Sequence, residues 1–233
     1  MIGPPARLSS SIGRKLIVAV TGLALVGFLL AHLAGNLQVF RGQDALDSYA
    51  EGLRHLGPLL WVARVGLLAV AVVHVVLTLQ LAAANRAARG SRYVVSHPVQ
   101  STPAARSMLL TGLMLLLFVV YHLAHFTWGR AHPEFSGRVD PAGRPDVYSM
   151  LVGSFGRPWI AAPYVLAMVL LGLHLSHGVS SVFQTLGWRG PRTEKLVARV
   201  GPLLGAVVAA GYISIPLAVQ MGVVVLPPGV TFP

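Results

Sequence analysis

Five stretches of this chain, at about 16–34, 59–84, 106–127, 158–185 and 196–226, are apolar and almost free of charge. Each reaches or approaches the ~20 residues that cross a bilayer as a helix, whose backbone hydrogen bonds are satisfied within the segment itself. The exceptions lie near the ends: Arg64 early in the second, Arg106 at the edge of the third and Arg199 in the first turn of the fifth. Charged residues make up 11% of the 233, against roughly 25% in an ordinary soluble domain. Hydrophobic residues make up 55% and mean hydropathy is +0.69, which excludes both a soluble domain and a disordered chain. The sequence therefore predicts an all-α fold: one integral membrane domain over residues 1–233, a bundle of five transmembrane helices. Pro216 should kink the fifth, which a membrane bundle tolerates.

The loops give a direction. The N-terminal tail and the loops after spans two and four hold eleven basic residues and one acid, Glu194. The opposite side holds seven basic residues against six acids. The excess predicts that the N-terminus lies inside and the C-terminus outside. It also accounts for the net charge of +11 without a nucleic-acid partner. Arg14 and Lys15 before an apolar run fit a secretory signal too, but the run is long for one and ends in His32, so we read it as a retained span. The chain has no cysteine, which excludes Cys-ligated iron–sulfur clusters, Cys-type zinc sites and covalently attached haem.

The outer segments carry some order. The stretch Asp44-Ala-Leu-Asp-Ser-Tyr-Ala-Glu reads as a short amphipathic helix with Asp44 as its cap and Asp47 and Glu51 one turn apart. Residues 146–155 read as a second interfacial helix, and 128–145 as loop. No repeat is evident beyond the histidines.

Six of the nine histidines lie in or beside spans: His32, His74, His122, His125, His174 and His177. Ionisable side chains in lipid are costly and mark function by default, although one alone is commonly an interhelical hydrogen bond. His32 and His122 lie 17 and 16 residues beyond the inner basic residues Lys15 and Arg106, about 25 Å at 1.5 Å per residue. His74 and His174 lie 12 and 15 residues before Arg86 and Arg189, about 18 and 22 Å from the same boundary. Four helices thus offer two imidazoles at an outer level and two at an inner one, the pattern that two haems stacked in a bundle need. Imidazole on both faces leaves no open site on the iron, so such haems carry electrons. Gly22, Gly27, Gly35, Gly112, Gly172 and Gly178 would allow porphyrin close to backbone. His125 and His177 follow their neighbours by three residues and share a face with them. By spacing, either member is a ligand, or a partner for a haem propionate or a quinone. His55, His97 and His132 read as surface residues.

The ordered segments Ser10-Ser-Ile-Gly-Arg-Lys, Ala31-His-Leu-Ala-Gly-Asn-Leu, Asp44-Ala-Leu-Asp-Ser-Tyr-Ala-Glu, Val72-Val-His-Val, Phe118-Val-Val-Tyr-His-Leu, Leu173-His-Leu-Ser-His-Gly and Val182-Phe-Gln-Thr-Leu-Gly-Trp are spread over nearly the whole chain. Together they resemble the five-helix, di-haem cytochrome b558 subunit of bacterial succinate dehydrogenase and fumarate reductase. The resemblance implies that His32 and His122 ligate the iron of an outer haem b, and His74 and His174 that of an inner one. The Tyr-His and Leu-His contexts favour His122 and His174 over His125 and His177. Family members with a carboxylate two residues before the fourth ligand have Gly172 here, which puts a proton route at that position in doubt.

The resemblance further implies a membrane-anchor subunit in the bacterial cytoplasmic membrane. Its partners would be a flavoprotein and an iron–sulfur subunit on the cytoplasmic face, surrounding lipid, and a higher oligomer of the complex as a possible further state. The electron acceptor would be a quinone, menaquinone first. Quinone reduction also takes protons, and Glu51 is the first candidate acid, with Asp44 and Asp47 beside it. Ser10, Arg14 and Arg106 could line an inner quinone site instead. The alternatives are the cytochrome b subunit of a hydrogenase or formate dehydrogenase and, more remotely, a haem-free transporter. The last is disfavoured because no acid, Lys or Arg lies well inside a span.

Overall fold

The computed structural model describes residues 10–88 and 103–233. Arg7, Arg89, Arg92 and His97 lie outside the described residues. The helices, in chain order, are α1 (Ser11–Asn36), α2 (Gln43–His55), α3 (Pro58–Ala87), α4 (Pro103–His122), α5 (Val147–Phe155), α6 (Pro158–Thr185) and α7 (Glu194–Gln220). Five of them, α1, α3, α4, α6 and α7, are long and apolar enough to cross a membrane. Among the described residues there is no strand, only an isolated bridge between Val139 and Pro145.

The helix boundaries follow from local chemistry. The Ser10 hydroxyl accepts a hydrogen bond from the Gly13 amide at 3.1 Å and caps α1. Pro58 and Pro158 open α3 and α6, where the missing N–H costs nothing. Pro216 lies within α7 and is buried. That helix stops at Gln220, short of the 226 expected from hydropathy, because the chain turns out through Gly222 at φ 70°.

Small residues set the closest packing. Gly201, Gly205 and Ala209 recur every four residues along α7, the spacing that lets membrane helices approach. A methyl group on Gly205 would strike the carbonyl oxygen of Gly172 on α6, and one on Gly201 would strike that of Ser176. Gly172 is tied into the same contact: its Cβ would sit 3.1 Å from that of Ala209. A carboxylate at position 172 would therefore have to part the two helices. Elsewhere α1 packs on α3 and α6, and α4 packs on α6.

The outward surface is apolar. No residue of α3 is buried, and Leu68, Leu117, Leu166 and Leu203 are exposed. All four tryptophans, Trp61, Trp128, Trp159 and Trp188, are exposed and stand at or just beyond helix ends, where indole rings anchor at a membrane interface.

Burial is concentrated at the end of the bundle that holds α2 and α5. Val39, Leu46, Phe135, Leu151, Val152, Phe155, Ile160 and Ile215 form one core there. Residues 146–155, expected to form a second interfacial helix, do form a helix, and it enters this core, with Asp146 capping α5 through the Ser149 amide at 2.8 Å. Asp44 is not the cap of α2. Gly42 takes that position at φ 95°, a backbone angle that glycine adopts without a Cβ penalty. The Asp44 carboxylate instead accepts from the Arg144 guanidinium at 2.8 Å. Arg144 also donates to Asp140 at 2.7 Å and to Ser48, latching the 128–145 loop to α2.

The α6–α7 contact predicts that Gly205→Leu lowers thermal stability in detergent by at least the ~1–3 kcal/mol of an overpacked core. Gly66→Leu on α3 serves as control, since a Cβ there meets nothing within 4 Å. Equal unfolding temperatures for the two variants would contradict the close packing.

Candidate functional site

Four imidazoles project between the long helices in two pairs. In the outer pair, His32 of α1 and His122 at the end of α4 lie with ring centroids 5.9 Å apart, edge to face. Each is buttressed one turn back along its own helix, His32 by Phe28 at 5.3 Å and His122 by Phe118 at 5.9 Å. Tyr212 of α7 adds a ring 6.2 Å from His32 and donates to the Leu29 carbonyl at 2.8 Å. The Nδ1 of His122 is buried without a hydrogen-bond partner, a state that needs a reason in a folded protein.

The inner pair is His74 of α3 and His174 of α6. Each meets a Thr-Gly dipeptide on the neighbouring helix. The Thr21 hydroxyl of α1 is 3.1 Å from His74 Nδ1, and the Thr111 hydroxyl of α4 is 3.2 Å from His174 Nδ1. The adjoining glycines admit the rings: a Cβ on Gly22 or Gly112 would be 3.2 Å from the Cε1 of His74 or His174 respectively. Thr21 and Thr111 each lie eleven residues before the outer histidine of their helix, about 16 Å along the axis.

The threonines were missed by sequence reasoning, yet a signal exists. Thr21-Gly-Leu-x-Leu-x-x-Phe-x-x-x-His32-Leu-Ala recurs as Thr111-Gly-Leu-x-Leu-x-x-Phe-x-x-x-His122-Leu-Ala. The expectation of no repeat beyond the histidines is therefore corrected. The two hairpins α1–α3 and α4–α6 use the same device: an outer histidine and a Thr-Gly on the first helix, an inner histidine on the second.

The remaining histidines are engaged differently. A π-helical turn, Leu123–Thr127, follows His122 and carries the fully buried His125. Its Nδ1 is bonded to the Tyr164 hydroxyl at 2.8 Å and its Nε2 to the Ser154 hydroxyl at 3.0 Å, so both ring nitrogens are used within the protein. His177 is partly buried, with Nε2 3.0 Å from the Ser181 hydroxyl one turn on. His132 is not a plain surface residue: its Nε2 is 3.0 Å from the Tyr121 hydroxyl and its ring lies 4.7 Å from that of His125. His55 is exposed and pairs with Glu51 at 3.7 Å.

That pair leaves the Glu51 side chain 41% exposed. The buried acid of the same helix is Asp47. Its Oδ1 accepts from the Tyr148 amide at 2.9 Å, while Oδ2 has no partner. Burial drives its pKa up from 3.8 to about 6, partly offset by the Tyr148 amide.

Among the described residues no group of three or more His, Cys, Asp or Glu side chains forms a metal-holding cluster. The histidines come as pairs. Two imidazoles from opposite helices can supply two donors to a planar cofactor that brings its other ligands itself. No protein-family model, curated protein or solved structure matches the chain.

Asp47 gives a pH test. The folded state holds its proton up to about pH 6, whereas the unfolded chain releases it near pH 4. Stability therefore falls as pH rises across that window, by ~3 kcal/mol once the group is fully ionised. Between pH 4 and 7 the unfolding temperature of the unaltered protein should fall relative to that of Asp47→Asn. Parallel curves would contradict the assignment.

Proposed function

We propose that the chain is the membrane-anchor cytochrome b subunit of a succinate:quinone oxidoreductase in a bacterial cytoplasmic membrane, carrying two b haems. The observation that carries this reading is the presence of two imidazole pairs, each taking one histidine from the α1–α3 hairpin and one from the α4–α6 hairpin, at two levels of a five-helix apolar bundle. His32 and His122 would hold one iron, and His74 and His174 the other. The gaps at Gly22 and Gly112, which admit the rings of His74 and His174, fit these roles. When bound, a bis-imidazole haem supplies one-electron transfer without an open coordination site.

The chain's own residues supply the setting. Tyr212 and the two phenylalanines orient the outer rings, and the α6–α7 contact fixes the helix that carries His174. Succinate chemistry and the iron–sulfur relay belong to flavoprotein and iron–sulfur partners, since this chain has no cysteine to hold a cluster. The excess of basic residues on the inner side, with Arg14, Lys15, Arg106 and Arg189 among them, suits that docking face. A membrane quinone, menaquinone first, is the acceptor. Asp47 is our choice for the proton-exchanging acid, ahead of Glu51, because it is buried with one oxygen unpaired.

The reading predicts a b-type haem spectrum at two haems per chain in the purified protein, by reduced-minus-oxidised absorbance. His74→Ala and His174→Ala each lose the same haem, His32→Ala and His122→Ala each lose the other, and His125→Ala keeps both. A purified protein without b haem, or one in which His125→Ala loses a haem and His122→Ala does not, would overturn it.

A further inference from the structure

The two threonines beside the inner histidines do more than fill space. A hydroxyl has one proton to give. That of Thr21 goes to the Ile17 carbonyl at 2.7 Å, with Val18 as a second acceptor at 3.1 Å. That of Thr111 goes to the Met108 carbonyl at 3.1 Å. With the proton committed to its own helix, each oxygen can only accept from the imidazole 3.1 or 3.2 Å away. Nδ1 of His74 and of His174 must then carry the hydrogen.

A neutral imidazole protonated at Nδ1 has its free lone pair on Nε2. We infer that Thr21 and Thr111 are positioning residues that fix the tautomer of His74 and His174, keeping Nε2 of each free to bind iron in a porphyrin. The inference rests on the proposed cofactor reading for its iron and on hydrogen-bond geometry for its tautomer. An imidazole that donates from Nδ1 is a more basic ligand, which favours the oxidised metal. Neither ring nitrogen of His32 or His122 has a hydrogen bond among the described residues, so the effect belongs to the inner pair alone. The Thr-Gly repeat supports it independently: the same hydroxyl and the same glycine gap occur in both hairpins, at the same distance from the outer histidine.

The test uses the full-length protein with Thr21→Val, Thr111→Val and the matching Thr→Ser variants. Redox titration of the haems should show the inner one becoming easier to reduce in each Val variant. The expected change is about tenfold in the reduced-to-oxidised ratio at fixed potential, ~59 mV for one electron. The outer haem should not move, and serine should restore the original value. Loss of the inner haem in the valine variants alone would also support the hydroxyl's role. Unchanged potentials in the valine variants, or equal losses with serine, would overturn it. Nitrogen-15 NMR of histidine in cofactor-free protein separates this from failure of the haem reading. There, His74 and His174 should be protonated at Nδ1 in the unaltered chain and shift toward Nε2 protonation in the valine variants. Protonation at Nε2 in the unaltered chain would refute the inference whether or not haem is found.

Discussion

In lipid, an imidazole is costly unless another group meets its polar nitrogens. That constraint organises the molecule. Four of the six membrane-level histidines have a specific partner: a threonine hydroxyl for His74 and His174, a tyrosine and a serine for His125, a serine for His177. His32 and His122 are the exceptions, with each other's rings as neighbours and no hydrogen bond to the ring nitrogens among the described residues. The pairs that a cofactor would hold are thus of two kinds, one braced from behind and one unbraced.

The surrounding fold turns that chemistry into fixed geometry. The interlocked glycines of α6 and α7 leave little freedom for the helix that carries His174. At the far end, the core built on α2 and α5 packs against Phe118 and Tyr121 in the last turns of α4, beside His122, and Arg144 ties the 128–145 loop to α2. α3 has no buried residue, and its place depends on contact with α1, where Thr21 and Gly22 meet His74. The outward faces need no such precision, because lipid accepts any apolar side chain.

Much of this was legible in the sequence. The low charge and long apolar runs give five membrane-length helices, and counting residues from the basic loops separates the histidines into two levels. What the sequence concealed depends on contact between helices. Thr21 and Thr111 look like ordinary membrane-helix threonines until a ring nitrogen is found opposite. Asp44 resembles a helix cap, but Gly42 supplies the turn and Arg144 claims the carboxylate. Asp47 and Glu51 look alike one turn apart, yet one is buried beneath α5 and the other faces outward. His125 seemed interchangeable with His122. A π-helical turn, which periodicity does not reveal, carries it toward Ser154 and Tyr164.

The central claim is that two six-coordinate irons are held, each by a pair of these imidazoles. Electron paramagnetic resonance of the oxidised, purified protein tests it most directly, because coordination on both faces makes ferric haem low-spin. The account predicts two low-spin ferric signals of equal weight, together accounting for two haems per chain, with no high-spin component. A high-spin signal from iron with an open face, a single low-spin species at one haem per chain, or no haem signal would contradict it.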